Sequence, residues 1–117
     1  MSVIVYGIRN CDTLKKSLQW LDAHGVSHTF HDYRKQGLSG ELLDEMIAAL
    51  GWDALVNRRG TTWRGLDEQT RAQIDADTAR QLMLAQPALI RRPVVRCETE
   101  WLVGFDANTF GQQFGQS

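Results

Sequence analysis

Apolar residues along the first third of the chain change their period twice. Residues 2–6 (SVIVY) form a short β-branched and aromatic run stopped by Gly7, the pattern of a buried strand. Leu14, Leu18 and Leu21 then recur at helical spacing, with Lys15, Lys16 and Gln19 left for solvent, until Gly25 ends the helix. Residues 26–33 (VSHTFHDY) alternate polar and apolar positions and predict a second strand. The result is a β-α-β unit whose right-handed crossover lays its two strands parallel.

The pattern changes after Gly37. In LSGELLDEMIAALG a serine cap precedes apolar residues at Leu42, Leu43, Met46, Ile47 and Leu50, which predicts a helix. WDALVNRRGTTWRGLDEQT holds a short helical turn, a glycine-bounded basic loop and a further helix start. DADTARQLMLAQPALI adds one more helix, closed by Pro87. From Arg92 strands return: Val94 to Cys97 and Trp101 to Val103, with Glu98 to Glu100 as the hairpin turn, followed by an Asp cap and a weak helical tail. The order is β-α-β, helical insert, β-β-α, an α/β chain with no internal repeat or linker-like run.

A length of 117 residues suits one compact domain, in which residues 1–37 and 91–117 form the sheet-bearing part and residues 38–90 the insert. Thirteen basic against 14 acidic side chains give a formal charge of -1. That balance supplies no whole-chain attraction to nucleic acid or anionic membrane. No apolar run approaches the roughly 20 residues of a membrane span, and the N-terminus has no basic region leading into a signal-type core. The expected location is the cytoplasm. Two cysteines, Cys11 and Cys97, are too few for a disulfide scaffold or a structural zinc site, so both are expected as free thiols.

Of the two, Cys11 falls where a strand gives way to a helix. A helix N-terminus presents unpaired N–H groups and about half a positive charge, which favours the thiolate, the nucleophilic form of cysteine. Either Asn10 or Cys11 caps this helix, and the N–H groups of Thr13 and Leu14 then face the sulfur. Arg9 and Lys15 add favourable charge and Asp12 opposes it. Position 14 is leucine, so there is no C-x-x-C pair and no local resolving thiol. Cys97 lies within a strand pattern and reads as core.

Arginines supply the remaining candidate chemistry. Arg58, Arg59 and Arg64 flank GTTW, and Arg91, Arg92 and Arg96 surround Pro93. Singly, each reads as a solvated surface residue; together near a thiolate they would hold a carboxylate or oxyanion through bidentate N–H contacts. A proline opening a strand is a position where cis bonds occur, and the preceding residue can then offer its N–H and C=O to an extended peptide. His24, His28 and His31 match no zinc spacing and lie far in sequence from any acid partner, so no metal site is expected. GTTWRG lacks the lysine and serine of a phosphate loop.

IVYGIRNCDTLKKSLQWL, LVNRRGTTWRGL and LIRRPVV together resemble, in order and spacing, the ArsC-like proteins of the thioredoxin superfamily, and within them the YffB branch. The resemblance covers nearly the whole chain. It implies a thioredoxin-like mixed sheet interrupted by a helical insertion, a nucleophilic cysteine at Cys11, and substrate-binding positions at Asn10, Thr13, Arg58 or Arg59, Arg92 and Pro93. It implies a glutathione-linked thiol reductase with no bound cofactor, taking glutathione as co-substrate and glutaredoxin as a further partner. Arsenate reduction is the alternative reaction. Glutaredoxin-coupled arsenate reductases carry a third arginine on the last strand, where this chain reads LVGF with Gly104. Spx regulators, another branch, suggest a non-catalytic alternative that binds RNA polymerase or another protein; they usually carry the C-x-x-C absent here. Direct nucleic-acid binding is not expected, because it calls for a basic face.

Overall fold

The computed structural model describes residues 3–9 and 11–114. They form two compact units, Met1–Gln36 with Arg92–Ser117, and Gly37–Arg91. In the first unit β1 (Val3–Gly7), α1 (Asp12–Ala23) and β2 (Thr29–Asp32) make the β-α-β start, and α2 (Tyr33–Gln36) is one helical turn. After the insert come β3 (Val94–Cys97), β4 (Glu100–Val103) and α8 (Ala107–Phe114).

The four strands form one mixed sheet in the order β2-β1-β3-β4. β1 runs parallel to β2, with Val5 opposite Phe30 and Tyr6 opposite His31. It runs antiparallel to β3, with Val3 opposite Cys97 and Val5 opposite Val95. β3 and β4 are antiparallel, with Val95 opposite Leu102. This is the thioredoxin-like sheet that the resemblance implies. Strand alternation sends Val3, Val5, Val95 and Cys97 to one face, where they pack with Leu14 and Leu21 of α1 and with Phe110 and Phe114 of α8. Full burial of Leu14 and Leu21 stabilises the α1 contact by about 1.5–3 kcal/mol each. The other face carries an aromatic row: Tyr6 lies 5.1 Å from the His31 ring and 5.9 Å from the Trp101 ring.

β2 is shorter than its alternating pattern predicts. At its start, the end of α1 takes Val26: Gly25, at φ +69°, turns the chain so that its N–H donates to the Asp22 carbonyl and that of Val26 to the Leu21 carbonyl. At its end, buried Asp32 accepts from the Arg34 N–H at 2.9 Å and donates its own N–H to Gln36 Oε1 at 3.0 Å. These bonds compete with the ladder and start α2 at Tyr33. The hairpin turn is also tighter than expected, because Glu100 pairs with Cys97 and leaves only Glu98 and Thr99 to turn.

The insert contains α3 (Gly40–Leu50), α4 (Trp52–Leu55), α5 (Thr61–Arg64), α6 (Glu68–Ala72) and α7 (Ala76–Ala85), followed by a 3-10 turn at Pro87–Leu89. The basic loop around GTTW is thus partly helical. Ser39 Oγ accepts from the Leu42 N–H as the expected cap of α3. Asp75 and Thr78 form a reciprocal capping box on α7. Leu43, Met46, Leu55, Ala79, Met83 and Leu89 are buried. Arg80 on α7 reaches Asp44 on α3 at 2.6 Å and holds that carboxyl below its usual range through the hydrogen bond and charge.

Candidate functional site

Cys11 is the N-cap of α1, with extended backbone at φ -149° and ψ 122°. Its N–H donates to the Arg9 carbonyl at 2.9 Å, and its own carbonyl accepts from the Lys15 N–H at 3.0 Å. An N-cap with a serine or aspartate side chain would accept from the N–H of the second or third helical residue. Cys11 forms no such bond, so the Thr13 and Leu14 N–H groups are not quenched by the cap side chain. The thiol is free and half-buried, and packs against the edge of the sheet and helix core. Thr13 is exposed in the first turn of α1, its carbonyl accepting from Ser17 Oγ at 2.8 Å. Asn10 lies outside the described residues.

Arg9, expected to add charge beside the sulfur, has its guanidinium 4.9 Å from the centre of the Phe30 ring. That cation–π contact lays the loop between β1 and α1 over β2.

The end of β1 also positions Arg92. A Cβ placed on Gly7 would stand 3.2 Å from Leu14 Cδ2 and 3.6 Å from Arg92 Cγ. The bare glycine therefore leaves room for both Leu14 of α1 and the stem of Arg92 where a side chain would stand. Arg92 is half-exposed, and its guanidinium forms no ion pair among the described residues. Pro93 beside it is buried, the Arg92–Pro93 bond is cis, and the Pro93 carbonyl accepts from the Gly104 N–H at 2.8 Å. Gly104, at φ +81°, holds the backbone in the left-handed region at the end of β4.

Tyr33 was not singled out by its sequence, yet it responds to Arg92. Burial pushes its phenol well above the ordinary range and the neighbouring Tyr6 adds to this, while the positive charge of Arg92 pulls it part of the way back. The signal was its place at the end of a strand pattern, where a tyrosine reads as packing.

Cys97 is 7% exposed and pairs with Val3, at the opposite end of β1 from Gly7. The four residue steps from Val3 to Gly7 span about 13 Å. Leu14 holds the first turn of α1 against Gly7, so Cys11 and Cys97 lie at opposite ends of the strand, beyond the roughly 4.4–6.8 Å Cα separation of a disulfide. Cys11 and Cys97 are both free thiols of this unit.

Arg58 and Arg59 belong to the insert, where they meet Arg91, which the sequence grouped with Arg92 and Arg96 around Pro93. Arg58 pairs with Asp53 at 2.6 Å, and its guanidinium lies 5.4 Å from the Trp63 ring centre. Arg58, Arg59 and Arg91 line one pocket of about 340 Å³ together with Asp53, Val56 and Asn57. The signal for Arg91 was its place in the arginine pair before Pro93.

One of the histidines has an acid neighbour after all: His28 Nε2 lies 3.8 Å from Asp22 Oδ1, brought there by the chain reversal at Gly25. No group of three or more His, Cys, Asp or Glu side chains suited to a metal occurs among the described residues. Nor is any described helix long and apolar enough to cross a membrane.

Known proteins are similar to this chain in sequence and fold. The solved YFFB protein superposes with a TM-score of 0.89 at 44% identity, covering 94% of this chain and 96% of its own. The solution structure of an arsenate reductase (ArsC) related protein from Brucella melitensis gives 0.82 at 47% identity over 99% and 97% of the two chains. A more distant relative, the global transcriptional regulator Spx 1 of Oceanobacillus iheyensis, is 24% identical over 89% of this chain and 80% of its own. The family model described as the ArsC family matches residues 6–112, and the chain belongs to that family.

Proposed function

We propose that the protein is a glutathione-linked thiol reductase in which Cys11 is the nucleophile. The observation that carries this reading is a half-buried, free thiol as the N-cap of α1, with no side-chain cap bond competing for the first-turn N–H groups. The Cys11 sulfur, as thiolate, attacks one sulfur of a substrate disulfide. A mixed disulfide with Cys11 forms, the substrate S–S bond breaks, and the departing thiolate takes a proton from solvent. Glutathione thiolate then attacks the mixed disulfide, restores Cys11 and leaves as a glutathione-containing disulfide. Its sulfur supplies the electrons. An outside thiol is required because Cys97 stands at the far end of β1. Arg92 offers its unpaired guanidinium to a glutathione carboxylate, and glutaredoxin is the further protein partner in keeping with the family.

Arsenate fits this chain less well, since Gly104 provides no guanidinium for an oxyanion. Turnover of a small disulfide, bis(2-hydroxyethyl) disulfide, with glutathione as reductant tests the proposal. Disulfide turnover that Cys11→Ser abolishes supports it, and arsenate-dependent turnover in its place would overturn it. The match to Spx favours a second reading, in which the chain docks on RNA polymerase or another protein without chemistry. A pull-down whose partner is retained equally by wild type and Cys11→Ser, with no disulfide turnover, would favour that reading.

A further inference from the structure

Arg9 holds Cys11 through its main chain while its side chain is engaged elsewhere. The Arg9 carbonyl accepts from the Cys11 N–H at 2.9 Å. The guanidinium of the same residue lies 4.9 Å from the centre of the Phe30 ring. Arg9 is exposed and forms no ion pair among the described residues, so the ring is the contact that fixes its charge.

Phe30 is a firm anchor. It pairs with Val5 of β1, and its half-buried ring packs against the core formed by the sheet and α1. β2 is an edge strand, so no further strand lies beyond it. A guanidinium is weakly hydrated and stacks on aromatic faces, which suits that edge. Cys11 itself has two main-chain bonds of opposite character. Its carbonyl accepts from the Lys15 N–H within α1, whereas its N–H is tied to the incoming loop by the Arg9 carbonyl alone. With no side-chain cap bond at Cys11, the placing of Arg9 governs how the loop delivers the sulfur to the helix N-terminus.

A cation near a thiolate can act through space or by fixing the chain that carries the sulfur. These two routes make different demands on Phe30. We infer that Arg9 is a positioning residue for Cys11: its cation–π contact with Phe30 anchors the carbonyl that holds the Cys11 N–H, and so keeps the sulfur at the N-terminus of α1. The consequence for reactivity rests on the reading of Cys11 as the nucleophile, while the anchoring does not.

Amide hydrogen exchange of the full-length protein, read by NMR at the Cys11 N–H, tests the anchoring. The rate of Cys11 alkylation by iodoacetamide at pH 7 tests its consequence. Arg9→Met removes the charge and keeps a flexible stem; Phe30→Leu removes the ring and leaves the Arg9 charge in place. Each should speed exchange at the Cys11 N–H and slow alkylation about threefold, the scale of one exposed cation–π contact. The double variant should lose no more than either single one, because both remove the same contact. Arg9→Lys and Phe30→Tyr keep a cation over a ring and should recover most of the wild-type values, which a general loss of packing would not allow. Exchange that follows this pattern in a protein whose Cys11 resists alkylation would uphold the anchoring and refute the nucleophile reading. Losses in Arg9→Met without losses in Phe30→Leu would mean that Arg9 acts by charge alone and would overturn the inference. Additive losses in the double variant, or an unaltered Cys11 N–H in both single variants, would overturn it as well.

Discussion

Gly7 and Leu14 meet so closely that a methyl group on the glycine would stand 3.2 Å from Leu14 Cδ2. The last residue of the central strand and the first turn of the helix that Cys11 caps are thereby locked together, with the Arg92 stem 3.6 Å away on the same glycine. Gly7→Ala should therefore act on stability and site together. The expected cost is about 1 kcal/mol, from displacement of Leu14 in a packed interior. Urea unfolding of the two proteins measures it, and Gly7→Val should cost more.

Arg92 is expected to contribute binding rather than chemistry. Arg92→Ala should raise KM for glutathione about fivefold to tenfold with kcat little changed, the signature of lost uniform binding. Arg92→Lys should recover only part of the loss, because an ammonium cannot present a bidentate fork. Steady-state kinetics with varied glutathione separate the two parameters.

Tyr33 gives the fold an alkaline limit. Its phenol is pushed above the ordinary value of 10.0 in the folded protein, chiefly by burial. Above pH 10 the unfolded chain loses this proton while the native state keeps it, so the native state binds more protons and stability falls as pH rises. The contribution is fully present below pH 10. Denaturant midpoints at pH 9 and pH 11 should fall for wild type and fall less for Tyr33→Phe.

Cys97 should prove a packing residue alone. Cys97→Ala keeps the aliphatic character of its place opposite Val3 and should retain disulfide turnover within twofold of wild type. Loss of turnover in a protein that still unfolds cooperatively would give Cys97 a redox role that its place on β1 argues against.

The β-α-β start was legible because local rules govern it: a β-branched run, a leucine stripe and a glycine stop each specify one element. Cys11 was legible for the same reason, since the junction of strand and helix is a feature of neighbouring residues. Tyr33 and Glu100 were misplaced by one element. The alternation of residues 26–33 cannot reveal that buried Asp32 spends its side chain on the backbone of Arg34, nor can the polar run Glu98-Thr99-Glu100 show that Glu100 pairs with Cys97. The setting of Arg92 beside Gly7, and of Arg91 beside Arg58, comes from pairings between distant segments. Sequence spacing carries no trace of those.

The most direct measurement is the intact mass of the protein after incubation with oxidised glutathione, followed by peptide mapping of any adduct. The account predicts a single glutathione adduct, on Cys11, reversed by reduced glutathione and absent in Cys11→Ser. An unmodified protein, or an adduct on Cys97 with Cys11 left as a free thiol, would contradict it.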